Sequence, residues 1–142
     1  MKLQRRVVVT GLGIVSPIGN SINDAWDACI NGVSGISFND TNIPNSPVTI
    51  GGRIKNLDLK EYLDVKEIRR LDPFIQYSLI SSSQAIKDAS IDSSFNLSRI
   101  GVNFGSGIGG ISNIEKNYKL LNEYSYKKIS PFFVPGSIIN MA

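Results

Sequence analysis

The chain contains 142 residues, of which 42% are hydrophobic and 19% are charged, a composition typical of a globular protein. It has no histidine and one cysteine, Cys29, which excludes a histidine-based catalytic triad, a His/Cys zinc site and an internal disulfide within these residues. The 15 Lys and Arg residues against 12 Asp and Glu give a net charge of +3 that is spread along the chain, which disfavours nucleic-acid binding through a broad basic surface.

The first apolar run covers residues 5–10, which are β-branched and bounded by glycines, so it predicts a central parallel strand buried on both faces. The start of the chain resembles a signal peptide only superficially, because Thr10, Gly11 and Gly13 interrupt the run. No segment reaches the run of about 18 apolar residues that is needed to span a membrane. The expected location is therefore the cytoplasm.

A helix should follow the glycine-rich loop at 11–19. Asn20 or Ser21 can cap it, and it should extend to about Gly32. Its predicted buried stripe consists of Ile22, Ala25, Trp26, Cys29 and Ile30. On that stripe Cys29 is expected to be a small buried hydrophobic residue, since no base or cation lies beside it at helical spacing.

The middle of the chain alternates irregular and helical patterns. Asn and Pro residues predict a long irregular connection at 34–48, and residues 48–54 predict a strand. One or two short helices are expected over 57–70. A longer helix should begin at Asp72-Pro73 and run to about residue 89. The residues that it is predicted to bury are Ile75, Leu79, Ile86 and Ala89.

A second β-run is predicted over 99–105, where Ile100, Val102 and Phe104 alternate. A glycine-rich loop follows, then a helix over 111–123, and residues 136–142 have the pattern of the start of another helix. Strands that alternate with helices indicate an α/β fold with a mainly parallel sheet.

The loop Gly105-x-Gly107-x-x-Gly110 has the spacing of a dinucleotide-binding fingerprint between a predicted strand and a predicted helix. The acidic residue expected about 20 positions later is missing, since Lys127 and Lys128 stand there. Close backbone packing, or an apolar ligand channel, explains the glycines equally well. A small nucleotide-binding domain therefore remains an alternative hypothesis.

Two basic clusters are candidate binding elements. Lys66, Arg69 and Arg70 have the i, i+3 and i+4 spacing that places side chains on one helix face, and Lys127 and Lys128 form the second cluster. Each alone is typical of a solvated surface. A functional interpretation requires the fold to bring the two clusters together.

Four segments in order, VVVTGLGIVSPIGN, RRLDPFIQYSL, IGVNFGSGIGG and KKISPFFVPGSIINMA, resemble the amino-terminal part of the type II β-ketoacyl-acyl-carrier-protein synthases. The resemblance implies an α/β fold in which residues 1–142 form an incomplete first half of a thiolase-like αβαβα layered arrangement. It implies a homodimer, no cofactor and no metal, and decarboxylative Claisen condensation of an acyl thioester with malonyl-acyl carrier protein in fatty-acid elongation. The alternative within the same fold is a non-catalytic subunit like the chain-length factors.

The resemblance also assigns expected roles. The family's nucleophilic cysteine and two histidines match positions beyond residue 142, and Cys29 does not match the nucleophile's motif. We therefore expect the chain to be a fragment, inactive alone. Ile108 should line the acyl pocket, and Phe133 should reach from the dimer interface toward the partner's pocket. The residues expected to dock the acidic acyl carrier protein are Lys66, Arg69, Arg70, Lys127 and Lys128.

Overall fold

The computed structural model describes residues 5–38 and 46–142. The described residues fall into two compact units. The first unit contains the described parts of Met1–Leu57 together with Ser81–Leu97, and the second contains Asp58–Ile80 and Ser98–Ala142.

Helix α1 (Ile22–Ile30) lies in the first unit and begins where the sequence predicts, because the Ser21 hydroxyl accepts a hydrogen bond from the Asp24 amide at 3.2 Å. Its predicted apolar stripe is only partly buried. Ala25 is buried against Gly19, whereas Trp26 is 64% exposed and Cys29 is exposed as well. The expectation of a buried Cys29 was therefore wrong, since no described element covers this side of the helix.

A short antiparallel pair, β1 (Ser37–Phe38) and β2 (Ile50–Gly51), follows α1. The Lys55 ammonium donates to the Ser37 hydroxyl at 3.3 Å beside this pair. The strand predicted over 48–54 is confirmed only at β2, and residues 39–45 of the predicted connection lie outside the described residues.

Helix α3 (Pro73–Asp88) contributes residues to both units, and in the first unit it supports the loop at 11–20. Asp88 accepts from the Leu12 amide at 2.9 Å. The Gln84 side chain accepts from the Ile14 amide at 2.9 Å and donates to the Asn20 carbonyl at 2.7 Å. The first glycine-rich loop is therefore held by side chains of α3.

In the second unit, helix α2 (Val65–Arg70) begins with a capping box. Asp64 accepts from the amides of Lys66 and Glu67 at 2.6 and 2.7 Å, and the Glu67 carboxylate accepts from the Asp64 amide at 3.0 Å. The preceding 3-10 turn is Leu59–Glu61. One or two short helices were expected here, which this arrangement confirms.

The part of α3 in the second unit carries the best-buried side chains. Ile75 and Ile80 are 1% and 0% exposed, and the Gln76 amide group donates to the carbonyls of Ile68 and Leu71 at 3.0 and 2.8 Å. Burial of Ile75 was predicted correctly. Burial of Leu79 and Ile86 was not, because these side chains are 40% and 50% exposed, and Ala89 is only partly buried.

The largest difference from the sequence-based expectations concerns the two β-runs. Neither residues 5–10 nor residues 99–105 form a strand, and Val7, Val8 and Val9 are 93%, 65% and 78% exposed. A central parallel strand takes its hydrogen bonds from neighbours on both sides, and among the described residues neither run has such neighbours. The predicted parallel sheet is thus absent from the described part of the chain.

Helix α4 (Ile111–Glu123) confirms the predicted third long helix. Three 3-10 turns complete the second half of the sequence: Leu97–Arg99, Tyr126–Lys128 and Ile139–Met141. The helix expected from residue 136 is instead a series of turns that ends in the last of these. In the parts of the chain that are described, no helix is long and apolar enough to cross a membrane.

Candidate functional site

The first basic cluster lies on the short helix α2, where Lys66, Arg69 and Arg70 are all exposed. The Arg70 guanidinium carbon lies 4.5 Å from the centroid of the Phe132 ring. Such a cation–π contact contributes about 0.5–1 kcal/mol at an exposed site. The contact fixes the direction of the Arg70 side chain.

Arg69 and Arg70 also line a cavity of about 200 Å³. On α4, the same cavity is lined by Ser112, Asn113 and Lys116. Lys116 is a cation that the sequence analysis did not single out. Its helix is distant from α2 along the chain, so sequence spacing gave no signal for the association.

The second cluster, Lys127 and Lys128, lies on an exposed 3-10 turn, where the Ser125 hydroxyl accepts a hydrogen bond from the Lys127 amide. Phe132 follows Lys128 by four residues, which limits the distance between their Cα atoms to about 15 Å. Because Arg70 contacts Phe132, the structure brings the two basic clusters into the same region of the second unit.

The two predicted acyl-pocket residues have different surroundings. Phe133 is half-buried and lines an apolar cavity of about 200 Å³. The other lining residues of that cavity are Ile114, Asn117, Tyr118, Leu121 and Ile129. Ile108 is 65% exposed in the loop before α4 and does not line this cavity. Ile108 and Phe133 of one chain therefore do not share this cavity.

A buried polar network, which the sequence analysis missed, holds the segment around Phe133 against α4. Asn117, 3% exposed, donates to the side-chain oxygen of Asn113 at 2.8 Å and accepts from the Ser130 amide at 3.0 Å. Asn113 in turn donates to the Ser137 hydroxyl and the Phe133 carbonyl at 3.0 and 3.3 Å. The position of Phe133 thus depends on two asparagines at i, i+4 spacing on α4.

The end of the glycine loop, at Gly109 and Gly110, is packed against the protein's own backbone. The Gly110 amide donates to the Ser137 carbonyl at 2.9 Å, and a Cβ atom at Gly110 would lie 2.6 Å from the Gly136 carbonyl oxygen. In a dinucleotide site this amide region would face the pyrophosphate. The geometry therefore favours close backbone packing as the reason for Gly110, whereas a Cβ atom at Gly105 or Gly107 would meet no atom within 4 Å.

An ion pair on α4 neutralises two charges close to Lys116 in sequence. Glu115 and Lys119 on α4 form an ion pair of 2.7 Å. Their hydrogen bond, reinforced by the attraction between the charges, lowers the pKa of Glu115 and raises the pKa of Lys119. Arg69 and Lys116 have no carboxylate at ion-pairing distance among the residues described.

Residues 4–142 match the family model described as "Beta-ketoacyl synthase, N-terminal domain". The 3-oxoacyl-[acyl-carrier-protein] synthase 2 of Coxiella burnetii is 45% identical over 141 residues, which cover 98% of the chain and 34% of that protein. The protein of the same name from Staphylococcus aureus (strain COL) is 42% identical over 145 residues, which cover 100% of the chain and 35% of that protein.

Two solved structures have a similar fold. One, AntDE:AntF, is described as a type II polyketide synthase acyl-carrier protein in complex with its ketosynthase; it has a TM-score of 0.79 and 22% identity over 97% of this chain and 36% of that one. The other is the ishigamide ketosynthase/chain length factor, with a TM-score of 0.73 and 18% identity over 92% of this chain and 33% of that one.

Proposed function

Because the chain belongs to the β-ketoacyl synthase family and matches its amino-terminal domain, we propose that it works as part of a condensing enzyme of fatty-acid elongation. The structural similarity confirms the predicted fold class, α/β and part of the thiolase-like layered fold. The chain spans about a third of the length of the curated relatives that it matches.

The proposed reaction is the condensation of an acyl thioester with malonyl-acyl carrier protein. The acyl group moves from its carrier to an enzyme cysteine, malonyl-acyl carrier protein loses carbon dioxide, and the resulting carbanion attacks the acyl thioester to release 3-oxoacyl-acyl carrier protein. We assign the nucleophile and the histidines to parts of the enzyme beyond residue 142. The match of residues 4–142 to the family model, together with 45% identity over 141 residues to a relative named 3-oxoacyl-[acyl-carrier-protein] synthase 2, is the observation that carries the proposal.

In this function the chain supplies recognition surfaces. The basic clusters, Lys66, Arg69 and Arg70 with Lys127 and Lys128, would dock the acidic carrier protein, and charge attraction there would act mainly on the association rate. A related ketosynthase is known in complex with its acyl-carrier protein, which supports this type of partner. Phe133 would reach the acyl pocket of a second subunit in a cytoplasmic homodimer.

The direct test is an assay of the complete enzyme with acyl- and malonyl-acyl carrier protein, followed by mass spectrometry of the carrier. We expect 3-oxoacyl-acyl carrier protein. A variant in which the nucleophilic cysteine beyond residue 142 is replaced by alanine serves as the control and should form no product. The contradicting result is that the wild-type enzyme forms no 3-oxoacyl product, whether or not it decarboxylates malonyl-acyl carrier protein. In that case the related non-catalytic, chain-length-factor role replaces this proposal.

Replacement of Ile108 by phenylalanine should shorten the acyl chains that the complete enzyme accepts. The larger ring would occupy volume that the end of a long chain needs, while short chains would still fit. We expect kcat/KM for a long-chain acyl-carrier protein to fall about tenfold or more relative to a short-chain one, since a steric conflict of this size costs about 1–3 kcal/mol. Competition between the two chain lengths measures the ratio. An unchanged ratio would remove Ile108 from the acyl pocket.

A further inference from the structure

We propose that the cavity between Arg69, Arg70 and Lys116 is an anchoring subsite for acidic side chains of the carrier protein, with Lys116 as the specificity-determining cation that α4 contributes. The inference rests on the proposed function, and it extends the docking surface beyond the two basic clusters of the sequence. The cavity has about 200 Å³ and lies on the second unit.

The cavity carries a net positive charge. It is lined by three cations and one carboxylate, Asp72, which leaves a formal charge of +2. The carboxylate of Glu115, one residue before Lys116 on α4, does not line the cavity. The cavity therefore retains positive charge that the described residues do not neutralise, which is the complement of an acidic partner.

A cation–π contact and hydrogen bonds hold parts of the cavity wall in place. Arg70 is held over Phe132, and Asn113, which also lines the cavity, is fixed by its bonds to Ser137 and the Phe133 carbonyl. Side chains that are already ordered lose less conformational entropy when a partner binds. The cavity is thus better prepared for a specific contact than a patch of freely rotating lysines.

The arrangement favours carboxylates over a phosphate group. The cations come from two different helices, and the Asp72 carboxylate, which also lines the cavity, would repel a dianionic phosphate more strongly than a single carboxylate. Two acidic side chains one turn apart on a partner helix can each reach one of these helices. We therefore assign the subsite to the acidic surface of the carrier protein.

The test compares Lys116→Gln with Lys119→Gln in the complete enzyme. The two variants lose the same charge from the same helix, but Lys119 does not line the cavity and is paired with Glu115. At low ionic strength we expect Lys116→Gln to raise KM for acyl-carrier protein about three- to tenfold and to leave KM for a small acyl thioester unchanged. The difference should shrink as salt is added. Lys119→Gln should change neither KM by more than about twofold.

Equal effects of the two variants on KM for the carrier, or no effect of Lys116→Gln, would overturn the inference. A Lys127→Glu/Lys128→Glu variant separates this failure from that of the proposed function. If it raises KM for the carrier while Lys116→Gln does not, docking stands and only the cavity is excluded. If neither variant affects this KM, the docking role of both surfaces fails.

Carrier protein that lacks its phosphopantetheine group tests which anion is bound. The affinity of this unmodified carrier should fall with Lys116→Gln by the same factor as that of the modified one. An effect seen only with the modified carrier would assign the cavity to phosphate and contradict the proposal.

Discussion

The Gly13→Ala variant is expected to be less stable than the wild type by about 3 kcal/mol, the upper end of the usual cost when a methyl group is forced into closely packed structure. A Cβ atom at Gly13 would overlap the Ser81 carbonyl oxygen and would lie 2.9 Å from the Ala85 amide nitrogen. These are backbone atoms of α3, so they can move away only if the helix itself shifts. Urea denaturation of the complete protein measures the difference.

Gly101→Ala is the matched control, because it adds the same methyl group where the structure has no atom within 4 Å. Its free energy of unfolding should change by no more than about 0.5 kcal/mol, as for most substitutions in open surroundings. If Gly13→Ala and Gly101→Ala unfold at the same urea concentration, the close approach of the loop to α3 is wrong.

Replacement of Asn117 by leucine should cost about 2–4 kcal/mol, since each buried polar group that loses its partner costs about 1–3 kcal/mol. The substitution nearly preserves side-chain volume, but the Ser130 amide loses its acceptor and the Asn113 side-chain oxygen loses a donor. Both groups are partly buried, so water replaces these partners incompletely. Urea denaturation of the complete protein would show this loss of stability as a lower urea concentration at the midpoint of unfolding.

Asn122→Leu makes the same chemical change at an exposed position of the same helix and should cost no more than about 0.5 kcal/mol. The milder Asn117→Ser variant should fall between the two, because its hydroxyl can restore one of the lost bonds. Equal stability of Asn117→Leu and Asn122→Leu would contradict the network. Because the network positions Phe133, the ratio of long-chain to short-chain activity should also change in Asn117→Ser and stay constant in Asn122→Leu.

The helix starts could be predicted because they depend on neighbouring residues. Ser21 caps α1, and Asp72-Pro73 precedes α3 as expected. A cap needs only a side chain within reach of the amides two or three positions later, so its determinants are visible in a window of a few residues.

The strands could not be predicted in the same way, because a strand is defined by its partners. Val7 and Val102 have the side chains of buried strands, yet they are 93% and 78% exposed, and the described residues supply no ladder for them. The apolar pattern predicted burial, which the described residues do not show. It could not indicate whether neighbouring strands are present.

The candidate site was predictable to the extent that it is encoded by local spacing. The i, i+3 and i+4 spacing of Lys66, Arg69 and Arg70 predicted cations on one helix face, and the structure shows that all three are exposed. The contribution of Lys116 and the role of Asn117 depend on contacts between α4 and segments remote in sequence. The spacing of the two asparagines on one face of α4 was the available signal, but polar residues on a helix more often face water.

The bonds between α3 and the loop at 11–20 have a consequence for the exchange of amide hydrogens with solvent. The amides of Leu12 and Ile14 both donate to side chains of α3, whereas the Gly13 amide between them has no acceptor in the described part of the chain. Exchange at the two flanking positions requires the loop to leave the helix, and exchange at Gly13 does not. Three consecutive residues therefore form a slow, fast, slow series, and the two slow rates report how often this loop opens.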